Sequence, residues 1–440
     1  MQSKNRILKT NISEEHTPKH LLTKFTVFHE KNNLPKVCFN AMFAVSNSLL
    51  EKLCLRSIYG VFHDTSVTEE ENVLLFSVTA AAALLVILGF ISNFIHEWNL
   101  DMHRALETMP MIFSTILAWF GGVSLCRSKE GMKGLLENMK TAWTKELKEG
   151  VDDKIINTAK RSILFTVFYA ILICAVGAFY LIVPFVRAVH KFVTDEDQTH
   201  FDFNMRLLPI RYPFSIDTVP MYILCTIFEV VCTFFFINSY LSVDTLFLQL
   251  TTILSLLLQI VGKKYAEITL YNDVRKLNCG LLKKLHNMGR QHSELLSYCE
   301  RIEEIFNPII FLIIIFTSAH LCVCVFALES KLSVLQFVDA ATLLFHFVAI
   351  IMQPFIYCNS AEDISHWTNN IANTIYTCQW PDQSQKFRKI VLLTMIRSHR
   401  DYKFKAYGLY KVNRYLLTQL VHTAFNFFML LRKTNNSLNI

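Results

Sequence analysis

Residues 241–261 read LSVDTLFLQLTTILSLLLQIV, and the reading of this run decides the fold. It is long enough to cross about 30 Å of hydrocarbon. It also carries Asp244, Gln249 and Gln259, which are costly groups to place against lipid. Seven other apolar runs stand along the chain: Val73–Ile95, Met109–Leu125, Ser162–Val186, Val219–Ile237, Pro308–Leu328, Phe337–Cys358 and Tyr415–Leu431. An eighth span at 241–261 would move every later loop to the other side of the membrane. We read the run instead as the fourth helix continuing beyond the membrane, packed against other protein.

The charges of the loops support seven spans. Lys and Arg load every second connecting stretch: nine in 1–72, nine in 126–161, eight in 238–307 and seven in 359–408, which is 33 of the 43. Only Arg104 lies between the first two spans, and only Lys331 between the fifth and sixth. Basic loops stay in the cytoplasm during insertion. The pattern predicts a cytoplasmic N-terminus and an extracellular C-terminus, the reverse of a G-protein-coupled seven-helix receptor.

Composition agrees with this. The chain is 52% hydrophobic and 13% aromatic, with 36 Phe against 12 Gly and 10 Pro. These values point to an all-α polytopic membrane protein and exclude a soluble domain or a β-barrel. The net charge of +7 is explained by cytoplasmic loops facing anionic membrane lipid, so no nucleic-acid partner is expected. The N-terminal MQSKNRILKTNISEEH has no apolar core and does not read as a cleaved signal peptide. The expected outer segments 96–108, 188–218, 329–336 and 432–440 contain none of the 12 cysteines, so no outer disulfide is predicted. Cys174, Cys225, Cys232, Cys322, Cys324 and Cys358 fall in spans, where Cys is a small hydrophobe.

The chain divides accordingly. Residues 1–72 form a cytoplasmic segment, 73–237 the first four spans, and 238–307 a cytoplasmic extension and loop. Spans five and six occupy 308–358, a second cytoplasmic loop with an amphipathic helix 359–408, the seventh helix 409–432, and an extracellular tail 433–440. Two cytoplasmic segments have the spacing of amphipathic helices: Asn278–Ile305, with Leu281, Leu282, Leu285, Leu295 and Leu296, and Gln383–Ser398, with Phe387, Ile390, Val391, Thr394 and Met395.

Catalytic and cofactor motifs are absent: the sequence has no GxGxxG, P-loop, HExxH or GxSxG. We expect no enzyme activity and no cofactor. His96, Glu97, Asp101, His103 and Glu107 share one short outer loop that could bind a metal, but their spacing matches no metal-ligand pattern and the stretch reads as a solvated loop. Glu229 stands in the middle of the fourth span, where an acid is either functional or a satisfied structural group. His346 in the sixth span reads as a core histidine. Met111, Phe113, Trp119, Phe179, Tyr180, Tyr222 and Phe345 fall in the outer halves of several spans. As a set they suit an apolar pocket for a small volatile molecule, and singly they suit core or lipid. In the last span Leu416, Leu420, Thr423, Phe427, Leu430 and Thr434 recur at helical spacing. Such a face can line a pore that closes by dewetting, or form an ordinary helix seam.

On these residues the chain resembles the insect odorant receptors, a seven-helix ligand-gated channel family of inverted topology. The stretch from PFIYCNSAEDISHW through FNFFMLL, residues 354–431, is similar to the family's C-terminal block. It has the Tyr376…Trp380 segment, a short amphipathic helix, and Ala406 and Gly408 ahead of the last span. LLPIRYPFSIDTVPMYILCTIFE, Leu207–Glu229, is similar to the family's entry into the fourth helix, and Asp244-Thr-Leu-Phe to its extension. The final FNFFMLL lacks the Tyr-Ser pair many members carry. The Thr-Tyr…Gln-Phe ending of the related gustatory receptors is missing, and so is the loop expansion of the shared co-receptor.

The resemblance implies a ligand-tuning subunit of a heterotetrameric cation channel formed with the odorant receptor co-receptor. It would lie in the plasma membrane of an olfactory neuron dendrite, surrounded by lipid. A small volatile odorant would sit in the outer half of the bundle among the second, third, fourth and sixth spans, with Phe113, Phe179, Tyr180, Tyr222, Thr226, Phe345 and His346 in its walls. Along the last helix Leu420, Thr423, Phe427, Leu430 and Lys433 would line the pore. Leu430 would stand at the gate, and Arg432 and Lys433 at the outer mouth. A metabotropic seven-helix receptor is opposed by the loop charges. A transporter is opposed by the absence of repeats and of buried acid/His clusters.

Overall fold

A computed structural model describes residues 69–194, 206–269, 279–377, 380–381, 383–398 and 402–438. Most of the expected N-terminal segment 1–72 lies outside these residues, as does Asn278. The chain order is α1 (Glu69–Leu100), α2 (Met102–Arg127), α3 (Lys129–Glu149), α4 (Asp153–Thr194), α5 (Val219–Thr269), α6 (Cys279–Ser333), α7 (Phe337–Tyr376) and α8 (Gln385–Ser398). A hairpin of β1 (Lys405–Ala406) and β2 (Tyr410–Lys411) follows, then α9 (Arg414–Leu438).

Each of the seven expected spans falls inside a helix. Six of them, in α1, α2, α4, α5, α6 and α7, are long and apolar enough to cross a membrane. The chain is a polytopic helical membrane protein. Helix α9 differs in kind. Its 25 residues reach about 37 Å, enough to cross, but Gln419, His422 and Asn426 interrupt its apolar character.

The run 241–261 is not a separate span. Helix α5 is continuous for 51 residues, about 76 Å at 1.5 Å per residue, more than twice the hydrocarbon thickness. Its second half is buried in protein: Phe247, Leu250, Ile253, Leu254, Leu257, Leu258 and Val261 are fully enclosed. The apolar character of the run comes from this protein contact, not from lipid. Helix α6 likewise runs through Pro308 for 55 residues, so the expected segment up to Ile305 and the fifth span are one helix. Proline removes one backbone donor, and the buried neighbours Phe306, Ile309 and Ile310 hold the helix in place around it.

Sequence reading did not anticipate α3. It buries Met132, Leu135, Met139, Trp143 and Glu146 along one side. Glu146 accepts from Gln291 of α6 at 2.7 Å and pairs with Lys264 of α5 at 2.7 Å. Lys264 also pairs with Glu149 at 2.6 Å, and its hydrogen bond holds the Glu149 carboxyl below the usual carboxylate range. Asp152 caps α4 by accepting the Lys154 N–H at 3.0 Å. At the end expected in the cytoplasm, α3, α5 and α6 are thus joined to α7 and α8. Helix α8 buries Phe387, Val391, Thr394 and Ser398 and leaves Leu392, Leu393 and Ile396 exposed.

The hairpin before α9 turns through Tyr407 (φ 48) and Gly408 (φ 71). This left-handed pair explains a glycine at 408, since a side chain there would be strained. Asn413 then caps α9 by accepting the Leu416 N–H at 2.9 Å. At the opposite end, ion pairs join the helices: Lys331 to Glu107 at 2.6 Å, Arg187 to Asp339 at 2.7 Å and Arg432 to Glu329 at 3.1 Å.

Candidate functional site

Helices α1, α2, α4, α5 and α7 surround a cavity of about 110 Å³. Its walls are largely hydrocarbon: Phe90 from α1, Met111 and Ala118 from α2, Ile173 and Val176 from α4, Phe236 and Ile237 from α5, and Ala349 from α7. Most of these side chains are themselves buried. Gly177 lets α4 approach α5, because a Cβ there would collide with the Ile237 side chain. Two larger spaces of about 730 Å³ open onto the surface, one lined by acids and bases at the α3 end and one along the α1–α5 flank. Neither combines burial with convergent polar groups, so the smaller cavity is the better candidate site.

Its polar part is a cluster from three helices. Tyr180 Oη of α4 stands 2.7 Å from Nδ1 of His346 on α7. His346 Nε2 stands 2.8 Å from Ser114 Oγ on α2. Ser114 Oγ also lies 3.5 Å from Nε2 of His320 on α6, and the two imidazoles meet edge to face with centroids 5.4 Å apart. Thr115 and Thr233 also line the cavity, but their hydroxyls donate to carbonyls of their own helices.

Buried polar groups fasten the frame above and below. Glu229 is 1% exposed and accepts two hydrogen bonds at 3.1 Å, from the Leu208 N–H and the Tyr212 hydroxyl. The segment that enters α5 is thereby pinned to it, with Arg206 over the Tyr212 ring and the Arg211 N–H on the Gly89 carbonyl of α1. Leu208 then closes one side of the cavity. Glu229 is a satisfied structural acid that positions this wall. On the other side Tyr240, also a wall residue, donates to Gln353 at 2.8 Å. Gln353 donates to Asp244 at 3.1 Å.

Of the residues singled out from sequence, Tyr180 and His346 meet at the cavity. Phe179 and Phe345 stack on each other at 5.1 Å between centroids, beside Tyr180 and His346 in sequence but outside the cavity walls, with Phe345 41% exposed. Phe113 turns towards α6, against Phe316 and His320. Tyr222 and Thr226 lie nearer the start of α5, and the Thr226 hydroxyl donates to the Tyr222 carbonyl. Ser114 was not singled out; it is a small polar residue in an apolar run, and only its partners across the bundle mark it. The outer loop expected at His96, Glu97, Asp101 and Glu107 is instead the junction of α1 and α2, helical except at Asp101, and Glu107 is engaged by Lys331 and Ser330. The His103 side chain lies outside the described residues.

The set expected along the last helix divides. Leu416, Leu420 and Ala424 are buried, and the Leu420 carbonyl accepts from Ser318 of α6 at 3.1 Å. Leu420 therefore packs within its own chain. Thr423, Phe427, Leu430 and Lys433 are exposed. The split arises because the buried positions recur every fourth residue, and that stripe drifts around a helix of 3.6 residues per turn.

The sequence profile described as 7tm Odorant receptor matches residues 101–425. Odorant receptor 9a of Drosophila melanogaster is 21% identical over 346 residues, covering 77% of this chain and 84% of that protein. Odorant receptor 47a of the same organism is 21% identical over 352 residues, 77% and 86% of the two chains. The fold is similar to that of the insect olfactory receptor OR5 from Machilis hrabei, with a TM-score of 0.70 and 15% identity over 89% of this chain and 99% of that one. The same receptor is also known in complex with eugenol. With a profile match across most of its length, the chain belongs to the insect odorant receptor family, a family of receptors rather than enzymes.

Proposed function

We propose that this chain is the ligand-tuning subunit of an odorant-gated cation channel assembled with the odorant receptor co-receptor in the plasma membrane, with the N-terminus in the cytoplasm. The observation that carries the reading is the cavity: a mostly hydrocarbon space with one cluster of hydroxyl and imidazole groups, reached from five helices. In the proposed orientation it lies in the outer half of the bundle. An odorant there would touch Tyr180 and His346 directly, with Phe179 and Phe345 behind them. Phe113, Tyr222 and Thr226 would act through the packing of α2 and α5. The eugenol complex of the Machilis hrabei receptor supports a small-molecule ligand for this fold.

Helix α9 suits a pore-lining role. One stripe is held by its own chain, while Thr423, Phe427 and Leu430 are exposed for an assembly to enclose. Arg432, paired with Glu329, is turned to its own subunit. The exposed Leu392, Leu393 and Ile396 of α8 suit contacts between subunits below the membrane. The test is co-expression with the co-receptor and a screen of volatile compounds for evoked cation current. Odorant-evoked current that needs both chains supports the reading; a chain that reaches the surface with its partner and answers no volatile would sink it.

A further inference from the structure

The hydrogen-bond arithmetic of the cavity selects a ligand chemistry. The two ring nitrogens of His346 meet hydroxyls, Tyr180 at 2.7 Å and Ser114 at 2.8 Å, and an isolated charge in such surroundings is costly. The imidazole is therefore neutral, with one nitrogen donating and the other accepting. If Nε2 carries the proton, Tyr180 donates to Nδ1 and Ser114 accepts, so the Ser114 O–H is left over. If Nδ1 carries it, Tyr180 accepts, Ser114 donates, and the Tyr180 O–H is left over. In either tautomer one hydroxyl hydrogen has no partner in the imidazole. His320 stands 3.5 Å from Ser114, too long to satisfy it well. Both hydroxyl residues line the cavity. The site therefore offers one donor that is at most weakly held, by the long contact to His320 in the first tautomer, and no charged side chain lines the cavity to meet an ion.

Size sets the second condition. A cavity of about 150 Å³ holds benzene with its six carbons. The 110 Å³ here scales to between about four and five non-hydrogen atoms. We infer that the cavity selects a neutral hydrogen-bond acceptor of this size, a short-chain ketone or aldehyde, which takes the weakly held hydroxyl hydrogen of the Tyr180–His346–Ser114 cluster. This rests on reading the cavity as the ligand site.

The test is thermal unfolding of the purified full-length protein in lipid nanodiscs, which needs no channel activity. The probes are 2-butanone, its hydrocarbon isostere 2-methyl-1-butene and the long ketone 2-nonanone, compared at equal concentration in the bilayer. 2-Butanone is expected to stabilise at a concentration about tenfold below that of the alkene, the weight of one good hydrogen bond. 2-Nonanone is expected to give no shift in that range. An alkene as effective as the ketone, a long ketone as effective as the short one, or no shift with any probe overturns the inference. The triple substitution Tyr180→Phe, Ser114→Ala and His346→Leu should bring ketone and alkene within about twofold. If that variant does not fold, the comparison in the native chain decides alone. A ketone-selective shift in a protein that no volatile opens would overturn the channel reading and leave the cavity's chemistry standing.

Discussion

The hydroxyl of Tyr169 on α4 donates to Oδ2 of Asp244 on α5 at 2.5 Å, and the carboxylate is wholly buried. Tyr357 of α7 donates to the other oxygen at 2.8 Å, and Gln353 reaches both. One acid thus satisfies donors from two neighbouring helices. Replacing it by Leu would strand these donors, each at a cost of about 1–3 kcal/mol. Asp244→Leu should lower the melting temperature of the purified protein and deplete it at the cell surface. Asp244→Asn, which keeps an acceptor, should do so less. Equal melting of Asp244→Leu and the native chain would show that the hub is dispensable.

Gly177 governs how much room the cavity keeps. The methyl of Gly177→Ala would displace the side chain of Ile237, which lines the cavity. The expected result is a rise of several-fold in the odorant concentration for half-maximal current, greater for larger ligands, with surface expression preserved. Tuning curves of the two proteins against a series of increasing chain length check this. A uniform shift at every length would count against a volume effect.

Helix α8 separates packing from assembly. Val391 is 1% exposed and serves the chain's own core, so Val391→Asp should destabilise the subunit itself. Leu393 and Ile396 are 59% and 64% exposed. Leu393→Asp with Ile396→Asp should leave the melting temperature within about a degree or two, as for surface changes, but reduce co-purification with the co-receptor. Undiminished co-purification would remove α8 from the proposed subunit contact.

The exposed stripe of α9 gives the gating prediction. Leu430 is 63% exposed, and a ring of such side chains would keep a narrow pore dry. Leu430→Ser should raise current in the absence of odorant. Lys433→Gln should raise cation conductance, more at low salt than at high, since screening weakens repulsion. Single-channel recording with the co-receptor measures both. Silence at rest in the first and unchanged conductance in the second would place the pore on another face.

Orientation is tested by tags. The bias of 33 basic residues among 43 predicts that a tag ahead of Val73 is shielded in intact cells, while one after Ile440 is reached by antibody. Antibody access to the N-terminal tag without permeabilisation would reverse the topology.

The span positions were legible because crossing hydrocarbon demands length and apolarity, which a single sequence displays. The continuation of α5 was legible because Asp244, Gln249 and Gln259 made lipid contact costly. Helix α3 is legible in the spacing of Met132, Leu135, Met139 and Trp143, within a stretch whose most visible feature is its basic charge. The partners of Asp244 were not readable: Tyr169 and Tyr357 stand 75 and 113 positions away. The same limit governed the site. Phe113 and Ser114 are adjacent, yet one faces α6 and the other the cavity. Periodicity marks a helix without fixing its rotation about its own axis, which packing decides.

Along α5 the cavity lies between two fasteners, Glu229 on one side and Asp244 on the other. Between them, Thr233, Phe236 and Ile237 carry none of the interhelical hydrogen bonds described for the frame. The polar wall residues, Tyr240 among them, help align the helices, while the apolar ones on α5 set only the shape of the space. A substitution at Phe236 or Ile237 changes what the cavity can hold at the cost of local packing alone, and leaves the helices in register. Selection can thus exchange ligands one wall residue at a time without passing through a misfolded receptor.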